Sequence, residues 1–296
     1  MLKSHVLPIE DIDRREILYD INGFSNYTAG TKLLKKITFS KRPLPLTRYR
    51  TAFKKVLSHL EMGNTYLLNL TFPTSISTNL TLKEIFENSP AKYKLYFKNK
   101  FVVFSPETFI RIDGKTISSN PMKGTIDASI RNAKEFILSD KKELAEHYTI
   151  VDLIRNDLSM VAENVRVERF RYVEKIKTQN KNLLQVSSKI TGTLPDNYRT
   201  KIGDIIFKLL PAGSVSGAPK NKTVQIIKEV ENYTRGYYTG IFGYFDGFKL
   251  DSGVMIRFIE RSKGKMVYKS GGGITALSKI ENEYQELIDK IYVPVV

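Results

Sequence analysis

The sequence predicts an α+β fold built as one large domain, and three observations carry that prediction. Strand-like segments come in two blocks, each reversed by a two-residue Asp-Gly turn, Asp113-Gly114 and Asp246-Gly247. That pair turns a strand back into an antiparallel neighbour. Long stretches with the apolar spacing of helices separate the blocks. No linker-like stretch divides the 296 residues, and strand blocks interleaved with long helices favour α+β over a parallel α/β sheet.

Taken in chain order, KRPLPL (Lys41 to Leu46) reads as a short loop. Residues 48–62 read as an amphipathic helix ending at Gly63, and Tyr66 to Phe72 as a strand. KYKLYF, FVVFS, FIRI and KTIS then form an antiparallel run over residues 92–118. Helical patterns follow at about 130–160, 198–210 and 220–232. TGIFGYF, GVMIRFIER and KMVYKS return to strands, and a helix from Ser278 closes the chain. Asp140 with Glu143, and Ser278 with Glu281, have the spacing of capping boxes at two helix starts.

Composition narrows the function. There are no cysteines, so a disulfide scaffold, a cysteine nucleophile and thiolate metal ligands are excluded. No apolar run reaches the ~20 residues that span a bilayer, and the N-terminus shows no signal-type apolar segment. The expectation is a cytoplasmic protein without a membrane role. The net charge is +16, from 47 Lys+Arg against 31 Asp+Glu. The cations are scattered, with no zinc-finger spacing, aromatic RNA-binding motif or basic tail. A small anionic ligand is therefore expected over nucleic acid.

Two pairs of glutamates stand out. At about 100° per residue, Glu143 and Glu146 fall inside the apolar arc of Ile150, Leu153, Ile154 and Leu158. A buried carboxylate demands a cation or donors. On the last helix Glu283 and Glu286 flank the stripe of Ile280, Tyr284, Leu287 and Ile291, with Lys290 one turn on. One reading is a hard-cation site, such as magnesium, shared by two helices; the other is a cap residue and a solvated charged flank. His147 reads as a core histidine. SGGGIT (270–275) is either a run of amides for a carboxylate or a tight turn. PAGSVSGAPKNK (211–222) reads as a glycine-rich turn into a helix from Pro219. Lys123 in PMKGT is either simply exposed or a nucleophile, which would require its neutral form.

Taken together, SPE (105–107), PMKGT (121–125), KELAEHYTIVDLIRNDL (142–158), LLPAGSVSGAPK (209–220), RGYYTGIFGYFDG (235–247), MIRF (255–258), SGGGIT (270–275) and ENEYQEL (281–287) resemble the chorismate-binding enzymes. These are the large subunits of anthranilate and aminodeoxychorismate synthases, with isochorismate and salicylate synthases. The resemblance covers nearly the whole chain and implies a single domain, residues 1–296, with an antiparallel β-sandwich flanked by helices. It implies magnesium held by Glu146 and Glu286, with Glu143 and Glu283 as partners. It implies chorismate held by Ser214, Tyr238, Arg257, Lys290 and the backbone of Gly272 and Gly273, and general acid/base work by Glu107.

Within the family, Leu67 stands where isochorismate and salicylate synthases carry a basic lysine. Lys123 stands in a motif that reads PIAGT in anthranilate synthases. It looks like the lysine of aminodeoxychorismate synthase, where it is the proposed nucleophile. The resemblance thus implies amination of chorismate at carbon 4 with ammonia, toward 4-aminobenzoate and folate. The alternative is an anthranilate synthase, which aminates carbon 2 and releases pyruvate. Gln185 replaces a family histidine near the ring. Without a cysteine there is no glutaminase here, so a separate glutaminase subunit is expected to supply ammonia. A tryptophan feedback site and a following lyase segment are expected to be missing.

Overall fold

The computed structural model describes residues 7–28, 33, 35–177 and 182–294. The strands are β1 (Ile17–Ile21), β2 (Phe24–Ser25), β3 (Phe39–Arg42), β4 (Leu67–Thr78), β5 (Tyr93–Phe97), β6 (Phe101–Ser105), β7 (Thr108–Asp113), β8 (Thr116–Ser119), β9 (Met122–Asp127), β10 (Glu163–Lys177), β11 (Asn182–Thr193), β12 (Gly217–Ala218), β13 (Ile241–Phe245), β14 (Lys249–Val254), β15 (Phe258–Ser262) and β16 (Lys265–Ile274). The helices are α1 (Leu46–Glu61), α2 (Leu82–Asn88), α3 (Ala133–Ser139), α4 (Lys141–Ser159), α5 (Ile202–Leu209), α6 (Gly213–Ser216), α7 (Lys220–Val230) and α8 (Ile280–Asp289).

The strands form two antiparallel sheets, as the α+β reading predicts. One runs β12-β4-β16-β15-β6-β5-β1-β2, with β3 beside β4. The other runs β10-β11-β8-β7-β14-β13, with β9 beside β11. Alternation along a strand assigns the layers. Val102, Phe104 and Ile259 face the core formed with α1, α2, α7 and α8, beside Val56, Phe86, Ile226 and Leu287. Their neighbours Phe101, Val103 and Phe258 point the other way, against Tyr238 and Met255 between the sheets. A third core packs α4 and α5 on the second sheet through Val151, Leu158, Ile205 and Ile190.

Several local expectations change. GVMIRFIER is not one strand: β14 ends at Val254, Arg257 takes φ +52°, and β15 starts in the other sheet. The predicted helix over 130–160 is two helices, because Asp140 is extended and caps α4, accepting from the Glu143 amide at 2.9 Å. The capping box at Ser278 does not form. Lys279 occupies the cap, and Ser278 instead donates to Glu283 at 2.7 Å. SGGGIT is not a turn but the end of β16, in register with β4. Gly271 is required there, since a Cβ would lie 2.3 Å from the Leu70 carbonyl. Lys41 and Arg42, read as loop, end β3, and the glycine-rich turn at 211–222 contains α6 and β12.

Candidate active site

Every residue that the sequence reading placed in the site stands on or beside one cavity of about 170 Å³. It opens where the second sheet hands the chain to the first. Glu107, Lys123, Glu146, Ser214, Tyr238, Arg257, Gly272, Gly273, Glu286 and Lys290 line it directly. Glu143 and Glu283 lie just behind: Glu143 acts on Lys123, and Glu283 approaches Gly272.

Local folding explains how these side chains converge. β15 begins at Phe258 and pairs back only as far as Lys269 on β16. Residues 270–273 therefore have β4 on one side and the cavity on the other. Gly272 faces the carboxylates: a Cβ there would lie in ordinary contact with Glu286 Oε1 at 3.5 Å and Glu283 Oε2 at 3.6 Å. Arg257 sits at the crossing between sheets, in a left-handed conformation that costs a non-glycine residue energy. Its Nε is buried without a hydrogen-bond partner among the described residues.

The electrostatics divide the cavity into two ends. At the carboxylate end, the Lys123 ammonium pairs with Glu146, which is only 6% exposed. Burial opposes the charge, but Glu146, Glu286 and Glu143 outweigh it and raise the amine above its ordinary value. Lys290 pairs with Glu286 at 2.6 Å and donates to the Gly271 carbonyl at 2.9 Å. Burial lowers the Lys290 amine, against Glu286 and with Arg257 and Lys123 adding to the fall. Among the described residues no three carboxylate or imidazole side chains are close enough to enclose a metal ion in this arrangement.

At the other end, burial raises the Glu107 carboxyl, and Ser214, Arg257 and Lys290 only partly offset this. Ser214 donates to Glu107 Oε1. The Glu107 backbone is fixed by the Ser105 hydroxyl and the Val254 amide, both at 3.1 Å. Tyr238 is buried beside Phe258, and burial raises its phenol, so it is a neutral donor. The cavity thus presents a carboxyl shifted upward by burial, a neutral phenol, and cations for an anionic ligand.

Leu67, read as standing in place of a basic lysine, lines the wall; Asn69, Met122, Ile150, Val215 and Lys269 also form it and were not assigned to the site from sequence. Lys269 reads in sequence as one lysine among many, and only burial against Glu260 at 2.9 Å distinguishes it. Gln185 pairs in register with Thr125 and Glu174 and is not among the lining residues. His147 is a buried core histidine, as read. Its Nε2 lies 2.7 Å from Ser188 Oγ, and burial lowers the ring to about 4, which keeps it neutral.

Known proteins share this chain's sequence and fold over most of its length. An uncharacterized PabA-like protein of Haemophilus influenzae is 51% identical over 293 residues, spanning 99% of this chain and 89% of that protein. Aminodeoxychorismate synthase component 1 of Bacillus subtilis is 29% identical, spanning 93% of this chain and 65% of its own. The solved structure of anthranilate synthase component I from Streptococcus pneumoniae TIGR4 aligns with TM-score 0.73 at 26% identity, over 88% of this chain and 60% of that one. The chain therefore spans about two thirds or less of these last two relatives. No described helix is long and apolar enough to cross a membrane. The sequence model described as chorismate binding enzyme matches residues 12–295, and the chain belongs to that family.

Proposed function

We propose that the chain is an aminodeoxychorismate synthase large subunit, which replaces the carbon 4 hydroxyl of chorismate by ammonia. The observation that carries this reading is the pairing of Lys123 with Glu107 on the walls of one cavity. A primary amine and a carboxyl whose burial favours its protonated form suit a displacement in which hydroxide must leave as water.

Arg257 and Lys290 supply the charge to hold the substrate carboxylates, with Tyr238 as a neutral donor. Magnesium would be held by Glu146 and Glu286, with Glu143 and Glu283 behind them: all offer the oxygen donors the ion takes, and Lys123 and Lys290 occupy the first two in the present arrangement. Magnesium, when bound, would supply positive charge to offset a substrate carboxylate. Lys123 must shed a proton before it attacks, because its present carboxylate neighbours favour the ammonium. The neutral amine bonds to carbon 2, both ring double bonds shift, and the carbon 4 hydroxyl departs as water with the Glu107 proton. Ammonia then bonds to carbon 4, the double bonds return as the amine leaves carbon 2, and the Glu107 carboxylate takes the proton that the new ammonium sheds. The enolpyruvyl group stays, giving 4-amino-4-deoxychorismate. A separate glutaminase subunit is the proposed ammonia source.

The test mixes the chain with chorismate, magnesium and ammonium at mildly alkaline pH and resolves products by mass. Amine in place of hydroxyl with the enolpyruvyl group retained supports the reading. Anthranilate with pyruvate assigns the chain to the anthranilate synthase reaction instead. Loss of magnesium-dependent turnover in Glu286→Ala supports the metal role, and unchanged magnesium dependence rejects it.

A further inference from the structure

Arg235 does not line the cavity, yet it ties together four residues that do. It lies between α7 and β13, with its side chain 15% exposed. Its Nε donates to Glu231 Oε2 at 2.8 Å, and Nη2 to Glu231 Oε1 at 2.6 Å. This two-point fork fixes the plane of the guanidinium. Glu231, 1% exposed, is itself anchored: its Oε1 accepts from the amide and hydroxyl of Thr71, both at 2.8 Å.

The remaining donors reach main chain on two different wall elements. Nη1 donates to the Val215 carbonyl on α6 and Nη2 to the Asn69 carbonyl on β4, each at 2.7 Å. The Asn69 side chain also donates to Val215 O at 3.1 Å. The backbone carbonyl of Arg235 accepts from Lys269 Nζ at 2.8 Å and from the Tyr238 amide at 3.2 Å. A buried ion pair gives little net stability by itself. What this one provides is a fixed distance between wall segments.

We propose that Arg235 is a positioning residue that sets the spacing between β4 at Asn69 and the α6 segment carrying Ser214 and Val215. Through Ser214 it places the Glu107 carboxyl, which Ser214 contacts. Its effect therefore falls on turnover more than on substrate capture.

The test uses Arg235→Lys, which keeps the charge beside Glu231 but cannot span the carboxylate and both carbonyls. Two readouts are taken. The kinetic one rests on the proposed reaction: kcat is expected to fall about ten- to a hundredfold, with KM for chorismate changed less than about threefold and the melting temperature nearly unchanged. Millimolar guanidinium is expected to restore part of the activity of Arg235→Ala. The second readout, hydrogen exchange, does not depend on the substrate: amides at 69–71 and 213–217 are expected to exchange faster in Arg235→Lys than in wild type. Inactivity of wild type toward chorismate would sink the proposed reaction, while the exchange readout would still decide the role of Arg235. Wild-type kcat or unchanged exchange in Arg235→Lys overturns the inference. So does a collapse of stability that guanidinium does not rescue, which would make Arg235 a folding residue.

Discussion

At the scale of single residues, the site rests on two groups shifted by their surroundings. Burial raises the Glu107 carboxyl, and neighbouring carboxylates raise the Lys123 amine. Lys123→Ala is expected to reduce amination severely, measured as product formed per minute; wild-type rates would remove the lysine from the chemistry. Glu107 also makes a stability prediction. Its folded-state value is raised, so its contribution favours the native state fully below the ordinary carboxyl value of about 4.3. That contribution is lost as pH rises through the raised value. Glu107→Gln removes the penalty, so the variant should melt above wild type at pH 8, with the difference vanishing toward pH 4, while its turnover falls. A lower melting temperature at pH 8 would contradict the buried-carboxyl account.

At the scale of elements, the close approach of β4 and β16 aligns the glycine edge with the cavity. Gly271→Ala would drive a Cβ against the Leu70 backbone. A loss of about 3 kcal/mol is expected in urea unfolding, and unchanged stability would mean the strands can separate at no cost. This level also shows what sequence could reveal. Glu143 and Glu146 were legible because helical period alone places them on an apolar face, and Glu146 is indeed buried. Arg257 was visible as a residue, but its turn between sheets was not, because GVMIRFIER is an apolar, β-branched run without a turn residue after Gly253 and reads as one strand. The hairpin β10–β11 was missed. Charged residues such as Arg166, Glu168 and Lys189 punctuate it, and the tertiary partners β8 and β9 that complete its sheet lie far off in sequence. The glycine run misled in the same way, since glycine signals a turn locally and a close strand contact only in the folded sheet.

At the scale of the whole molecule, the two sheets and the net charge of +16 act together. The crossing at Arg257 joins the sheets and puts cations from both beside one cavity. A positive molecule gathers an anionic substrate, and salt screens that attraction. KM for chorismate is therefore expected to rise roughly threefold or more between about 0.05 M and 0.5 M salt, with the fold unchanged by circular dichroism. A flat KM would confine the attraction to the buried contacts of Arg257 and Lys290.

The central claim is that Lys123 supplies the amine that displaces the hydroxyl of chorismate. The most direct measurement is the intact mass of the protein held with chorismate and magnesium in the absence of ammonia. The account predicts an adduct of chorismate less one water, mapped to the peptide containing Lys123 and discharged by ammonium. Unmodified protein that nonetheless aminates chorismate at full rate once ammonium is added would contradict it.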